Sequence, residues 1–556
     1  MKAKVVRVGL LAVAMLAVMV FGVPPSPVKA ATTYTWNQTG SASWALSTNW
    51  TPTRTTPATD DILVIDGSST ASPTLTNIPT QTIGQLLLTN STNASFTSAA
   101  ASVLTVGGGT GTDFQIDSGS ALTLGGTSAI QVSLSTGATG NIAGSMTVTG
   151  APHRLLAADA SAITFNSGAI FTQTTGFTGS VFGTTGTANV IVFASGSTFV
   201  FQAGSNPFGL GQPSSKVVFQ SGSLYRHEST NTPSFSGRKY ANFELNYATA
   251  NVTGTGSNPL AMDSITITLG TLNLQITGTV GITITGNIQV ASGQTLNFNP
   301  TVPATVTLKG TTAQTIGGAG ALTFGTNEDV TINNSNGVTL TKDITLQRNL
   351  ALTSGDLNTG SNTLTLASGA TITAAGDGDV IGNVRRSEAF SAGPIYTFNN
   401  PNTLVNFSSV TLGPSPTITM TLTKGSVPDG LSNAVTRGYT VTVSDISPFT
   451  ATLRLRYKTS ELGSVTEANI GAFKREGGGR WTLQTGSVDT VNHFVTVTDT
   501  TSFSEWALTD NGAPTAVTVS NFTARSEEPP VLGVLAVLGT LLMLGVGAWQ
   551  IRGHRS

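Results

Sequence analysis

The chain has 556 residues, only 10% of them charged, with a formal net charge of −1 and no cysteine. The near-zero charge argues against a nucleic-acid partner, which would need clustered basic residues. The absence of cysteine excludes disulfides, cysteine-ligated zinc, iron–sulfur clusters and thiol catalysis. A hydrophobic share of 39%, which recurs in strand-sized pieces, indicates a folded chain rather than a disordered one.

The first 30 residues have the pattern of a signal peptide. Lys2, Lys4 and Arg7 precede an apolar run over residues 8–23, and small side chains stand at the −3 and −1 positions of a cleavage site after Ala30. This pattern predicts export of the chain, and a retained N-terminal anchor is the alternative.

A tryptophan-rich cap is predicted over residues 31–65. Trp36, Trp44 and Trp50 fall within one short stretch of this segment. The terminal rung of a solenoid lacks a neighbour on one side, so bulky residues are expected to cover its open core. Stacking of these rings on sugars is the alternative. The segment also resembles the opening of many bacterial exported β-helical proteins.

A β-solenoid is predicted over residues 66–376. Short alternating runs such as Val330–Ile332, Val338–Leu340 and Leu364–Leu366 follow one another and are separated by Asn, Gly, Ser and Asp. Period-two alternation places every second side chain on one face, and the separating residues favour turns. If a rung takes about 22 residues, this region makes roughly fourteen rungs and a rod near 70 Å long, at ~4.8 Å per rung.

A Ser-Gly pair recurs at the end of strand-like runs in this region, and glycine there allows positive φ at a corner. The pairs are Ser118-Gly119, Ser167-Gly168, Ser195-Gly196, Ser221-Gly222, Ser292-Gly293, Ser354-Gly355 and Ser368-Gly369. Their spacing is irregular, which predicts a degenerate solenoid, or two solenoid blocks, rather than a strict repeat.

The segment from Tyr225 to Tyr240 gathers aromatic and charged residues in a chain that is otherwise poor in charge. It includes Arg226, His227 and Glu228. Two interpretations remain open from the sequence. The first is a sugar-binding or acid/base face, and the second is a wide loop whose aromatic rings pack on the solenoid.

From residue 377 to residue 510 the charges become denser and the alternating runs become longer, as in Thr417–Leu422 and Thr452–Tyr457. About seven strands separated by turns predict an immunoglobulin-like β-sandwich that also closes the last rung of the solenoid. Residues 511–530, which contain several prolines, are predicted to form a linker.

The predicted fold class is therefore all-β, a parallel β-solenoid followed by a β-sandwich, with one addition at the C-terminus. Residues 531–551 are predicted to form a transmembrane helix, because the uncharged run 531–549 has a length of ~28 Å as a helix. The basic tail 552–556 is expected in the cytoplasm, which leaves residues 31–525 outside the cell, anchored to the membrane. A buried C-terminal helix or a processed sorting signal is the alternative.

Residues 310–510 resemble large bacterial secreted and surface proteins that are described as adhesin-like. The resemblance is carried by Lys309–Gly317, Val330–Asn334 and Leu352–Thr359, then by Val380–Arg386 and Ser502–Leu508. We expect an extracellular polysaccharide or a surface protein as the partner of the chain, and the resemblance implies an extracellular, non-catalytic surface module. It does not name a ligand.

No catalytic, cofactor-binding or metal-binding residue is predicted, and the chain is not expected to be an enzyme. Asp113 and Asp117 share one face of a strand, and surface solvation is their expected role. The four histidines lie far apart in sequence, without metal-ligand spacing. Asp377 and Asp379 offer oxygen ligands to calcium, and a plain acidic turn is the favoured interpretation.

The alternative function is a surface polysaccharide lyase or glycoside hydrolase on a parallel β-helix. Such an enzyme needs two carboxylates, or a carboxylate with Lys and Arg, to converge on one face. The acids of the solenoid are scattered in sequence, so any such site would have to assemble across rungs.

Overall fold

The computed structural model describes residues 31–278 and 281–512, and these residues are almost entirely β structure. They contain no α-helix. Their helical elements are three single-turn 3-10 helices, at Ser47–Asn49, Thr459–Glu461 and Glu467–Asn469. The predicted signal peptide, residues 1–30, lies outside the described residues.

The predicted fold class is wrong in its membrane-spanning part. Among the described residues, no helix has the length and apolar character that a membrane crossing requires. The predicted transmembrane helix (531–551), the tail (552–556) and all but the first two residues of the linker (511–530) lie outside the described residues. An apolar run of sufficient length is a necessary condition for a membrane helix, and it does not make one by itself. The membrane partner expected through this helix is not tested by the described residues.

The strands are numbered in chain order, and the first 21 are short. They are β1 Thr33–Trp36, β2 Ser41–Ser43, β3 Trp50–Thr51, β4 Ile62–Asp66, β5 Thr74–Thr76, β6 Gln81–Ile83, β7 Gln85–Thr89, β8 Asn93–Phe96, β9 Ser102–Val106, β10 Phe114–Ile116, β11 Ala121–Leu124, β12 Ile130–Leu134, β13 Gly140–Ile142, β14 Ser145–Val148, β15 Arg154–Ala157, β16 Ile163–Phe165, β17 Ile170–Gln173, β18 Ile191–Phe193, β19 Thr198–Phe201, β20 Val217–Phe219 and β21 Leu224–His227.

The next 16 strands complete the solenoid. They are β22 Asn242–Gly256, β23 Leu260–Met262, β24 Ser264–Ile276, β25 Ile282–Ile284, β26 Ile288–Val290, β27 Thr295–Phe298, β28 Ala304–Leu308, β29 Gln314–Gly317, β30 Ala321–Phe324, β31 Glu328–Asn333, β32 Val338–Leu340, β33 Ile344–Leu346, β34 Leu350–Ser354, β35 Leu357–Leu366, β36 Ile372–Ala374 and β37 Val380–Ser387.

These strands form a parallel β-solenoid of about 13 turns, which confirms the predicted solenoid and lies close to the predicted fourteen rungs. Apart from β3, which pairs antiparallel with β1, each strand pairs in parallel with the equivalent strand of a neighbouring turn, as β7 pairs with β10 and β10 pairs with β13. Thirteen turns at ~4.8 Å give a rod of roughly 62 Å. Turn length varies, because 18 residues separate Tyr225 from its partner Phe243, whereas 28 separate Phe165 from Phe193.

The solenoid has three sides, and the third is interrupted. Strands β6, β9, β12 and β15 form a four-stranded sheet on the third side that ends at Ala157. The six-stranded sheet from β23 to β36 continues the first side, because Ala261 of β23 bridges to Lys239 and the adjacent Tyr240 stacks on Phe219 of β20. The third side resumes in the second half of β22, where Asn251 pairs with Thr271 of β24. Between residues 158 and 241 the strands belong to the first two sides, and wider loops replace the third strand of each turn.

The Ser-Gly pairs mark corners of the solenoid, as the sequence predicts. All seven glycines of these pairs have positive φ, between +76° and +87°. Gly168, Gly196 and Gly222 lie on successive turns, where the Gly168 N–H donates to the Gly196 carbonyl and the Gly196 N–H to the Gly222 carbonyl. The irregular spacing follows from unequal turn lengths and from turns that lack the pair.

Aromatic ladders fill the middle of the solenoid. Phe171, Phe199, Tyr225 and Phe243 stack on successive turns, with ring centroids 5.3–5.7 Å apart. Parallel pairing in register forces this arrangement, because a residue at an inward position lies directly over the inward residue of the neighbouring turn. Offset-stacked rings at this distance gain roughly 0.5–1.5 kcal/mol per pair beyond their burial.

The last eight strands form an antiparallel domain. They are β38 Ile395–Asn400, β39 Thr403–Lys424, β40 Arg437–Arg456, β41 Ile470–Arg475, β42 Thr482–Leu483, β43 Gly486–Asp489, β44 Phe494–Thr500 and β45 Glu505–Asp510.

This domain differs from the predicted immunoglobulin-like sandwich, because two long strands take part in two sheets. The second half of β39 and the first half of β40 lie between β37 and β45, whereas their other halves lie between β38 and β44. Register shifts between Phe407 and Thr417 mark irregular pairing where the strands pass from one sheet to the other. Bulges bend strands and increase their twist. The alternation of residues in the sequence does not locate such a bulge. One long, bent strand is therefore predicted as two short strands.

Strand β37 joins the two domains. It pairs in parallel with β35, which belongs to the last complete turn of the solenoid, and antiparallel with β39. The open edge of the last turn is therefore continued by the antiparallel domain and is not left unpaired. An unpaired edge would be a template for association with other chains.

The aromatic ladder leads to a prediction about stability. Phe199→Ala removes a fully buried ring that stacks on Phe171 and Tyr225, and we expect it to lower the free energy of unfolding by about 3–5 kcal/mol. Urea denaturation followed by circular dichroism measures this loss. Thr172→Ala, on an outward position of β17, is the control and should change stability by less than ~0.5 kcal/mol. Equal effects of the two variants would contradict a stability contribution from the ladder.

Candidate functional site

The aromatic rings of the segment from Tyr225 to Tyr240 pack inside the solenoid, which confirms the second of the two sequence interpretations. Tyr225, Tyr240 and Phe243 are at most 1% exposed. The Tyr240 hydroxyl donates to the Ser234 carbonyl at 2.6 Å. Burial raises the pKa of both tyrosines well above its usual value. These rings therefore belong to the core and are not accessible to a ligand.

His227 is also an interior residue. Its ring stacks on Phe201 with centroids 5.0 Å apart, and its Nε2 lies 2.7 Å from the Asn231 carbonyl oxygen. Burial lowers the pKa of His227 to about 4, although hydrogen bonds to Asn231 and Ser229 oppose this shift. The imidazole is neutral at neutral pH and sits away from solvent, so acid/base chemistry at this residue is not supported.

The residues between these buried positions face outward and form polar contacts across turns. Arg226 Nε donates to a Glu244 carboxylate oxygen on the next turn at 2.7 Å. Glu228 accepts from the Gln202 amide at 3.1 Å and from the Asn246 amide at 3.3 Å. Three successive turns thus place two carboxylates, two amides and one guanidinium on one side of the rod.

An exposed tyrosine stands beside these polar groups. Tyr247 follows Asn246 directly and is 41% exposed, and Leu269, the pairing partner of Asn246, is 39% exposed. The pairing of β22 with β24 shifts between Leu245 and Asn251, so residues 247–249 leave the regular in–out alternation and protrude. We define the outer polar patch as Gln202, Arg226, Glu228, Glu244, Asn246 and Tyr247.

Sequence reasoning missed Tyr247, although one signal was present. The run Asn242–Gly256 alternates regularly until Tyr247 and resumes after Ala250, so the intervening residues break the period. A break of this kind marks a bulge, where a side chain is redirected away from its expected face.

The densest charge cluster lies where the solenoid meets the antiparallel domain. The Asp379 side chain is fully buried, and its carboxylate contacts Arg437 at 2.6 Å, Arg456 at 2.7 Å, Lys424 at 3.2 Å and Lys458 at 3.4 Å. Burial alone would raise the pKa of Asp379, but these cations, Arg437 first, hold it well below its usual value. The predicted acidic turn is therefore an ion-pair centre between the domains.

Arg437 ties this centre to a second carboxylate. Its Nε and Nη2 donate to both oxygens of Glu461, at 2.7 and 2.9 Å, and its Nη1 donates to the Tyr439 hydroxyl at 3.1 Å. A guanidinium that donates through all of its nitrogens in a buried site is fully satisfied. The cluster is a structural connection, and removal of any member leaves a buried charge uncompensated.

An open cavity of 430 Å³ lies beside this cluster. Corners of successive solenoid turns and Lys458 line it, and its acidic side chains are Asp356 and Asp377. Asp377 is 86% exposed and Asp356 is 30% exposed, and burial lowers the pKa of Lys458. Two carboxylates and a lysine therefore meet in one cavity, a convergence that the sequence did not reveal because 21 residues separate the two acids.

Glu328 is the carboxyl group whose pKa rises most clearly. Its side chain is buried in the first position of β31, and burial, together with the adjacent Asp329 charge, raises its pKa to about 8. Raised pKa values of this size are typical of catalytic acids. Glu328 is 1% exposed, however, so a polysaccharide has no access to it.

The other predicted candidates have structural roles. Asp113 is buried, in contrast to its predicted surface position, and accepts hydrogen bonds from the backbone N–H groups of Gly109 and Thr139 at 2.7 Å. Asp117 accepts from the Gln115 amide. His153 is buried, and its Nδ1 accepts from the Ile130 N–H at 3.0 Å. Within the described residues, no three His, Asp or Glu side chains group in a way that could hold a metal ion.

The tryptophans of the N-terminal segment are buried at the first turns. Trp50 meets both Trp36 and Trp44 edge-to-face, with centroids 5.1 and 5.0 Å apart, and Trp44 meets Phe96 in the same way at 5.6 Å. All three tryptophans are at most 1% exposed. The rings fill the end of the core, as expected for a cap, and offer no face to a sugar.

The ion-pair centre predicts an acid-sensitive contribution to stability. Asp379→Asn should lower the free energy of unfolding by about 3–5 kcal/mol near neutral pH, because it leaves buried cations uncompensated. Since the native pKa lies below the unfolded value of ~3.9, this contribution is present above that value and is lost as the pH falls below it. Urea denaturation between neutral and acidic pH measures both effects. Asp377→Asn, at an exposed partner of Arg456, is the control and should cost less than ~1 kcal/mol.

The raised pKa of Glu328 leads to the opposite prediction for the pH dependence of stability. Its native pKa of about 8 exceeds the unfolded value, so its favourable contribution is complete below ~4.3 and is lost as the pH rises towards 8. Glu328→Gln should therefore be more stable than the wild type at the upper end of this range and similar at its lower end. Melting temperatures across the range test this, with the exposed Asp429→Asn as control. A wild type and variant with parallel pH profiles would rule out a raised pKa.

Comparison with known proteins gives no relative from which to transfer a function. No protein-family model matches the chain, and neither a curated protein nor a solved structure is significantly similar to it.

Proposed function

We propose that this chain is an exported, non-catalytic protein of a bacterial cell surface, which binds polysaccharide through the outward faces of its solenoid. The observation that carries this proposal is the outer polar patch, where the exposed ring of Tyr247 stands beside a row of amides and carboxylates. The export pattern of residues 1–30 and the resemblance to adhesin-like surface proteins support the location.

The patch has the chemistry that sugar recognition uses. An aromatic ring offers an apolar face for the C–H groups of a sugar, and its hydroxyl remains available for hydrogen bonding. Gln202, Glu228 and Asn246 already form a chain of side-chain hydrogen bonds, so their orientations are fixed before a ligand arrives. Preorganised groups lose less entropy on binding.

Another side of the rod presents a row of repeated hydroxyl groups. Thr283, Thr307 and Thr331 are register partners on three successive turns, and each presents a partly exposed hydroxyl. Hydroxyls repeated at the turn spacing of ~4.8 Å make individually weak contacts, which gain strength together when a polymer binds along the rod. A long, repetitive ligand therefore suits this surface better than a small molecule.

The non-catalytic character rests on how the acids are used. In the outer polar patch, Glu244 is paired with Arg226 and accepts from the Thr268 hydroxyl at 2.7 Å, and Glu228 is held by two amides. Both carboxylates are thus engaged by side chains of the protein itself, whereas a glycosidase needs two carboxyl groups that are free to act on the glycosidic bond.

The junction cavity favours a second candidate function, which is cleavage of polysaccharide. Asp356, Asp377 and Lys458 meet there, and burial lowers the pKa of Lys458, as required of a lysine that acts as a base. Both acids, however, already pair with cations, Asp356 with Lys424 and Asp377 with Arg456. The binding function is therefore preferred.

Incubation of the full-length chain with a panel of purified polysaccharides tests both candidates in one assay. Retention is measured by affinity electrophoresis, and cleavage is measured as new reducing ends or unsaturated products. Retention without products supports the binding function. Products that disappear in Lys458→Ala would replace it with cleavage at the junction cavity, and the absence of both retention and products would contradict both.

The outer polar patch gives a specific prediction for a retained polysaccharide. Tyr247→Ala should weaken retention roughly two- to tenfold, because an aromatic contact contributes about 0.5–1.5 kcal/mol. Ile395→Ala removes a 63% exposed side chain from the antiparallel domain and is the control, which should bind as the wild type does. Unchanged retention by Tyr247→Ala would place the binding surface elsewhere on the solenoid.

A further inference from the structure

A second recess lies at the corner between the third side and the first side of the solenoid, where the third-side strands resume. It is a cavity of 650 Å³ that is lined by corners of three successive turns, which contribute Gln212, then Arg238 with Lys239, then Pro259 with Ala261. This volume falls within the range of ~300–1,000 Å³ that is usual for small-molecule sites.

Backbone hydrogen bonds hold these corners in fixed positions. The Gln212 N–H donates to the Gly237 carbonyl at 3.0 Å, and the Ala261 N–H donates to the Arg238 carbonyl at 3.0 Å. The cavity lies where the third side resumes, because the second half of β22 supplies a third-side strand directly before Pro259. The two preceding turns, which contribute Gln212 and Arg238, have no strand on the third side, so their loops leave a recess.

Arg238 is held at this cavity with its guanidinium only partly used. Nε donates to the Ser234 hydroxyl at 2.9 Å, and the guanidinium carbon lies 5.3 Å from the centre of the Phe208 ring. Within residues 31–278 and 281–512, Nη1 is buried without a hydrogen-bond partner. A Cβ built on Gly211, another lining residue, would lie 3.4 Å from Nη1, so this nitrogen is at the cavity wall. A buried, unsatisfied donor is rare and costs free energy unless a ligand completes it.

The charge around the cavity is positive and unbalanced. Its lining includes Arg238 and the exposed Lys239 but no Asp or Glu. Neither cation forms a salt bridge with any acid in the part of the chain that the structure describes. The buried arginines Arg54, Arg386 and Arg437 all pair with carboxylates, whereas the partly buried Arg238 does not.

We propose that this cavity binds the carboxylate of a uronic acid unit in an acidic polysaccharide. The guanidinium edge matches a carboxylate in shape and charge, and Lys239 adds a second positive charge. Pro259 and Ala261 offer an apolar wall to the sugar ring, and the Gln212 and Asn258 amides lie in reach of ring hydroxyls. The proposal rests on the proposed polysaccharide-binding function and names the ligand class at a second place on the same rod.

Calorimetric titration of the full-length chain with trigalacturonate tests this site. Arg238→Gln should raise the Kd roughly tenfold or more, because a charge-assisted hydrogen bond is lost. Lys239→Gln, which changes an exposed side chain, should raise the Kd by a smaller factor and keeps the test informative if Arg238→Gln does not fold. Arg238→Lys keeps the positive charge but loses the planar guanidinium, which can donate two parallel hydrogen bonds to a carboxylate, so it should bind with intermediate affinity.

Matched controls change the same residue types elsewhere. Arg154→Gln on β15 and Lys309→Gln after β28 remove exposed cations that do not line the cavity, and both should bind as the wild type does. Methyl-esterified trigalacturonate keeps the sugar rings and loses the charge, so it should bind the wild type much more weakly. An equal affinity for the ester would overturn the assignment of a carboxylate.

Other outcomes separate this inference from the proposed function. If Arg238→Gln and the wild type bind trigalacturonate with equal affinity, the cavity is not the binding site. The same follows if the wild type retains neutral polysaccharide but does not bind trigalacturonate. Neither result contradicts the proposed function. Inorganic phosphate that binds more tightly than trigalacturonate would overturn the sugar assignment. A third outcome would support ligand binding at the cavity and contradict binding at the outer polar patch. In it, Arg238→Gln weakens trigalacturonate binding, whereas Tyr247→Ala retains polysaccharide as the wild type does.

Discussion

The structure depends on one constraint, which is that every turn pairs in parallel and in register with the next. Under this constraint an inward side chain lies over another inward side chain, and an outward one over another outward one. Phe171, Phe199, Tyr225 and Phe243 show the inward consequence, a continuous aromatic ladder. Arg226 above Glu244 shows the outward consequence, a contact between residues that are far apart in sequence.

The two ends of the solenoid are closed in different ways. At the start, Trp36, Trp44 and Trp50 cover the core with large rings. At the other end, β37 carries the sheet into the antiparallel domain, and Asp379 binds four cations across the junction. The few charges of the chain are thus concentrated where two domains must hold together, which leaves most of the rod uncharged.

The irregular part of the solenoid is where ligands find room. Between residues 158 and 241 the third side lacks its own strands, so loops widen there and the Arg238 cavity forms at the end of this stretch. The outer polar patch lies on turns of the same region, where a bulge turns Tyr247 outward. Regular turns give stiffness, and departures from the repeat provide places that differ chemically from the rest of the rod.

The sequence by itself determined the strand period, the turn residues and the aromatic content of the solenoid, because alternation and glycine at corners are local properties. It could not locate contacts between turns, since turn length varies from 18 to 33 residues and an error of a few residues changes every partner. Only the tertiary structure therefore decided that His227 is buried, that Asp379 pairs with Arg437, and that Arg238 Nη1 has no hydrogen-bond partner among the described residues. The two sheets that share β39 and β40 were hidden for the same reason, because a bulge depends on the partner strand.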